Sequence, residues 1–135
     1  MEVKKLDPKF YPISTLAYIG DAVCSLYCRI ENVKYVNVST IHQKVTQQVS
    51  RDGQAKGFER ILDLLSEDEL SVAKRAFNSK AAKRHGNDLF YRKSTAFEAV
   101  IGYLYLAGKT ERMYYLLKIA FGEMDDDSLR QERAG

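Results

Sequence analysis

This sequence predicts an all-α fold in one domain, and three observations carry the prediction. Apolar residues recur at three- and four-residue intervals through most of the chain, which is the spacing of one face of a helix. No segment alternates apolar and polar residues as a half-buried strand does. Only 2 Pro and 8 Gly punctuate 135 residues, so few elements are broken. The length suits one domain, 1–135, with a single core.

Residues 1–12 read as an irregular lead-in ending at Pro12. Ser14 is placed to cap a first helix reaching about Glu31, with Leu16, Ile19, Val23, Leu26 and Ile30 at helical spacing. A loop over roughly 32–38 follows, and Ser39 or Thr40 starts a second helical stretch carrying Ile41, Val45 and Val49. Gly53 and Gly57 are expected to break or bend it before 58–65. Ser66-Glu-Asp-Glu69 is a capping box opening a helix to about Asn78. Residues 79–93 read as an exposed, basic, loosely ordered segment. A very apolar helix then runs from Ser94 to Leu106 and stops at Gly108. Thr110 caps a last amphipathic helix to about Phe121, and 122–135 is an acidic polar tail.

Hydrophobic residues make up 45% and charged residues 29%, a globular mixture rather than a disordered one. The net charge of +3 is mild, but its distribution is not. Between Lys74 and Lys93 seven cations face one acid, Asp88. The N-terminus shows no signal-peptide core and no apolar run is long enough to span a bilayer. The 2 cysteines, Cys24 and Cys28, stand one helical turn apart and away from both histidines, which points to reduced core thiols rather than a zinc site. The expected location is the cytoplasm, with no membrane partner.

The chemistry concentrates in two places. Asp21 is the one charged residue from Ile13 to Cys28, and Glu98 the one from Ser94 to Gly108. Helices apolar on nearly every face are central ones. A carboxylate inside one is costly to bury without a partner, and neither segment contains a Lys or Arg to provide it. A cation is the simple partner. Ala17 and Ser25 beside Asp21, and Thr95 and Gly102 beside Glu98, leave room for an ion and its waters. Mg²⁺ needs only one or two protein carboxylates, and Mn²⁺ is the other candidate. The bland alternative is a cap, a partly exposed charge or half of a cross-helix salt bridge. No Gly-rich phosphate loop and no Ser-His-Asp or Cys-His set is evident. Tyr103, Tyr105, Tyr114 and Tyr115 read as packing or interface residues.

Leu16-Ala-Tyr-Ile-Gly-Asp-Ala22 resembles the signature of the ribonuclease III family, and Ala96-Phe-Glu-Ala-Val-Ile-Gly-Tyr-Leu-Tyr-Leu106 resembles its second acidic motif. Tyr91-Arg-Lys-Ser-Thr-Ala-Phe-Glu98 is especially similar to the Mini-ribonuclease III branch, which has no separate RNA-binding domain. The resemblance covers roughly 7–121 and implies the helical endonuclease-domain fold of that family. It implies that Asp21 and Glu98 are the catalytic, metal-binding acids and that Tyr18 stands at a homodimer interface. Two usual acids of the family are replaced here by Ala17 and Thr95, a reduction the Mini-ribonuclease III branch shares.

The implied activity is Mg²⁺-dependent cleavage of double-stranded RNA, with 23S ribosomal RNA precursor as substrate and a ribosomal protein as a further candidate partner. Lys80, Lys83, Arg84, Arg92 and Lys93 are the expected phosphate contacts, because duplex RNA is recognised through its phosphates, 2′-hydroxyls and shape. The rival expectations are a non-catalytic RNA-binding or ribosome-associated protein of the same fold and a helical hydrolase of small phosphorylated compounds. Retention of Asp21 and Glu98 disfavours the first, and the basic segment disfavours the second.

Overall fold

The computed structural model describes residues 7–122, and within them the chain is helical with no strand. The first six residues of the lead-in and the acidic tail from 123 onward lie outside the described residues. A 3-10 turn at Pro8–Phe10, capped by the Asp7 carboxylate, precedes α1 (Ile13–Glu31). Pro12, not Ser14, is its N-cap. The proline's extended backbone turns its carbonyl toward the N–H groups of Thr15 and Leu16, which leaves Ser14 already inside the helix.

The loop after α1 holds a 3-10 turn, Val33–Tyr35, and ends at Asn37, whose side chain accepts from the N–H groups of Ser39 and Thr40. That cap starts α2 (Val38–Val49). Ser50 then ends one helix and begins the next. Its hydroxyl donates to the Gln47 carbonyl and accepts from the Gly53 N–H, opening α3 (Arg51–Ile61). The expected break at Gly53 and Gly57 is therefore misplaced. Both glycines lie inside α3, because each clears a neighbour: a Cβ on Gly53 would fall 2.3 Å from the Gln47 carbonyl oxygen, and one on Gly57 would press the Ala120 methyl at 3.1 Å.

After a 3-10 turn at Leu62–Leu64, the capping box forms as expected and begins α4 (Glu67–Phe77). Its Glu69 is 3% exposed and is also held by the Arg112 guanidinium from α7 (Thr110–Phe121). A short α5 (Lys80–Lys83) follows, capped by Ser79. The long apolar helix, α6 (Leu89–Leu106), starts five residues earlier than expected, since Asp88 caps the N–H groups of Phe90 and Tyr91. Gly108, at φ 73°, ends it.

The helix α6 is the axis of the molecule. Eleven of its 18 residues are buried, including Phe97, Val100, Ile101 and Leu104. It packs against α1, α3, α4 and α7. Phe97 meets Phe121 edge to face at 5.3 Å between centroids. Cys24 and Cys28 are buried free thiols, as their spacing suggests. Among the described residues no helix is long and apolar enough to cross a membrane.

Candidate active site

The site is built where α1 crosses α6. Leu16 meets Gly102 and Gly20 meets Glu98, so the two helices run antiparallel at the contact. Their backbones touch. A Cβ added to Gly20 would lie 1.7 Å from the Glu98 carbonyl oxygen, and one added to Gly102 would lie 1.9 Å from that of Leu16. Gly102 thus serves the crossing rather than making room for an ion. The residue after Gly20 is Asp21, which stands exposed at the rim of the crossing. Its carboxylate comes within hydrogen-bonding reach of the Glu98 carboxyl group.

Two acids this close cannot both ionise without cost. Burial of Glu98 first, then the hydrogen bond to Asp21 and the repulsion between the two charges, push the Glu98 pKa from 4.5 to about 8. One contact opposes the shift. The side-chain amide of Gln54, on α3, donates to Glu98 Oε2 at 3.4 Å and favours the ionised form. The amide oxygen of Gln54 accepts from the Ser94 hydroxyl at 2.5 Å. Thr95 turns its hydroxyl back to the Tyr91 carbonyl of its own helix at 3.0 Å.

This donor set suits a hard cation that keeps most of its water. Two facing carboxylates provide the one or two oxygen ligands that Mg²⁺ takes from protein, and phosphate and water complete its octahedron. No third His, Cys, Asp or Glu joins them among the described residues. Cysteine chemistry does not compete: burial raises the thiol pKa of Cys24 well above its ordinary value, with Glu98 adding to it, and that of Cys28 to about 12.

The basic segment is more ordered than its composition suggests, and its residues divide into two groups. Lys80, Lys83 and Arg84 are exposed and form no ion pair among the described residues. Lys93 is half-buried and pairs with Glu59 at 2.7 Å. Arg92 stands apart from the other expected phosphate contacts. Only 9% exposed, it donates to the Phe77 carbonyl and to the side chains of Asn78 and Asn87, and its guanidinium lies 4.0 Å from the Phe77 ring centroid. It binds the end of α4 to the start of α6 and holds the intervening loop, where Gly86 and Asn87 take positive φ. Three of its five N–H donors are committed inside the protein, so its first role is to hold this loop.

Tyr18 is 78% exposed on α1, and Leu26 and Ile30 of the same helix and Val33 after it are each at least 58% exposed. Ile30 and Val33 line a groove of about 500 Å³ together with Val38, Ile41 and Val45. The core therefore absorbs α6 but leaves one side of α1 uncovered. Sequence reasoning missed Gln54 and Ser94. A lone Gln between two glycines carries no periodic signal, and its partners lie 40 and 44 residues away.

Comparison with known proteins agrees with this geometry. The model of the ribonuclease III domain matches residues 14–109. A protein of Kosmotoga olearia named Mini-ribonuclease 3 is 38% identical over 113 residues, covering 82% of this chain and 78% of that one. One of the same name from Thermoanaerobacter is 42% identical, covering 78% and 77%. Another from Clostridium tetani is 36% identical, covering 94% and 87%. Among solved structures, a crystal structure of a Fusobacterium nucleatum protein superposes with a TM-score of 0.78 at 30% identity, over 89% of this chain and 100% of that one.

Proposed function

Since the chain belongs to the ribonuclease III family, and so is an endoribonuclease of that type, we propose that it cuts double-stranded RNA at a Mg²⁺ site held by Asp21 and Glu98. The observation that carries this reading is the backbone-close crossing at Gly20 and Gly102, which sets the two acids against each other with no cationic side chain paired to either among the described residues.

Bound Mg²⁺, or Mn²⁺ in its place, supplies a polarised water and positive charge at the scissile phosphate. The chain's own residues do the rest. Asp21 and Glu98 would hold the cation, and Glu98 would be ionised in holding it, because a negative charge beside Asp21 is tolerated only when compensated. Water oxygen bonds to phosphorus, the bridging P–O bond breaks, and the products carry a phosphate and a hydroxyl at the cut. Lys80, Lys83 and Arg84, on α5 and the loop after it, hold flanking backbone phosphates, with Lys93 joining them once released from Glu59. Arg92 supports that loop from inside.

The exposed apolar residues of α1, Tyr18 among them, pair with a second copy to form a homodimer whose two sites address the two strands. The substrate we assign is a duplex segment of 23S ribosomal RNA precursor in the cytoplasm, with a ribosomal protein as a helper in presenting it. The names of the relatives support the family reading from which this assignment is drawn.

The test is cleavage of duplex RNA with and without Mg²⁺ by the parent, Asp21→Asn and Glu98→Gln. Metal-dependent cutting by the parent alone, with RNA binding kept in both variants, is the expected result. Undiminished cutting by either variant overturns the metal-site assignment. A parent that binds duplexes but cuts none under any metal favours the non-catalytic reading.

A further inference from the structure

Resting on the two-carboxylate reading, we propose that Gln54 is a positioning residue: with Ser94 it forms a relay from α6 to α3 and back that aims the Glu98 carboxylate at the cation.

A buried glutamine needs a partner for each end of its amide. Gln54 is 2% exposed inside a helix whose other buried residues are Ala, Gly, Phe and Ile. A methionine would fill that space with no polar atom to satisfy. The polar group is used instead for two contacts that reach across to one neighbouring helix. Ser94 and Glu98 are four residues apart on α6 and so share a face. The Ser94 hydroxyl donates to the Gln54 amide oxygen at 2.5 Å, and the ionised Glu98 carboxylate, which can only accept, fixes which end of the amide is which. The NH₂ end then points at Glu98 Oε2, and an NH₂ group can only donate.

Glu98 therefore has one oxygen anchored by a donor. A glutamate has three side-chain torsions to settle, and a site with only two protein carboxylates has few other means of settling them. Partners of this kind behind a metal ligand commonly change metal affinity 10- to 100-fold on removal. Gln54 itself touches no reacting atom in this scheme; it acts through Glu98.

The experiment compares the parent with Gln54→Met, Ser94→Ala and Asp21→Asn in the full chain. Mn²⁺ binding is measured without RNA by the loss of the free-ion electron paramagnetic resonance signal in concentrated protein. The Mg²⁺ concentration for half-maximal cleavage, the KM for duplex RNA and thermal melting are measured alongside. In Gln54→Met, Mn²⁺ affinity should fall and the Mg²⁺ half-point should rise by about tenfold or more, with KM for RNA unchanged. Ser94→Ala should shift both in the same direction by less, and it protects the test if Gln54→Met does not fold. Metal affinity and Mg²⁺ half-point equal to the parent's in a folded Gln54→Met, or in Ser94→Ala where Gln54→Met is unfolded, would overturn the proposal. If Asp21→Asn also leaves metal binding and cleavage intact, it is the two-carboxylate reading that fails, and Gln54 with it.

Discussion

Replacing Glu98 by Gln should make the metal-free protein more stable at the pH where it makes the enzyme inert. The Glu98 pKa is raised in the folded state, so folding favours the protonated acid. The stability attached to that proton is fully present below the ordinary 4.5 and is lost as pH climbs through about 8. At ~1.36 kcal/mol per pH unit, that interval bounds the loss at about 5 kcal/mol. Water reaching the half-open site reduces the figure to roughly 2–3 kcal/mol. A glutamine keeps the shape and can donate to Asp21 as the protonated acid does, without ever acquiring the charge. Urea unfolding of chelator-treated protein from about pH 5 to about pH 9 should show the parent weakening while the E98Q curve stays flatter, the gap opening to roughly 2–3 kcal/mol at the alkaline end. Saturating Mg²⁺ should narrow the gap, since a cation between the acids removes the repulsion that creates it. Parallel curves for parent and variant would refute the reasoning, for they would mean that Glu98 titrates alike folded and unfolded.

Other consequences can be checked as directly. Gly20→Ala and Gly102→Ala each drive a methyl into backbone, so each should lower stability by about 3 kcal/mol or more, or prevent folding, as read by thermal melting. Arg92→Ala strands two asparagine side chains and a carbonyl and should cost about 2–3 kcal/mol in melting experiments, whereas Lys83→Glu with Arg84→Glu should leave melting unchanged. The latter pair should weaken duplex binding and reduce its salt slope by about 1–2; an unchanged slope would remove them from the interface. Tyr18→Asp should shift sedimentation toward a monomer if α1 pairs with a second copy. The Mg²⁺ half-point should fall as pH rises toward about 8, because the ion must displace the Glu98 proton.

How much of this was readable in the sequence depends on how far each interaction reaches along the chain. The helix α1 and the capping box of α4 depend on neighbours three or four residues away, and both appear where their patterns place them. The two carboxylates are legible as lone charges in apolar helices, but the pattern overstates burial: Glu98 is half-buried and Asp21 is exposed, since α1 covers only one of its sides. The start of α6 was misread because Arg92 and Lys93 resemble a surface run, while the decisive signal was the Asp88 cap before Leu89 and Phe90. Arg92 itself looks like any basic residue; its burial follows from partners on the far side of a turn, at Phe77 and Asn78. The glycines of α3 were read as breakers because the surfaces they accommodate, the end of α2 and Ala120, are not adjacent in the pattern. Gln54 lies at the limit of this trend: nothing within a helical turn of it explains why it is polar.

The glycine crossing has one more implication. With no side chain between the helices, the separation of the two backbones that carry Asp21 and Glu98 is set by the thickness of two bare peptide chains, a dimension that no rotamer change can alter. Repacking elsewhere in the core can tilt or shift the helices only by separating that seam. The backbone frame of the site and structural integrity are therefore inherited together, and a variant that keeps its melting temperature differs at the site only in its side-chain torsions.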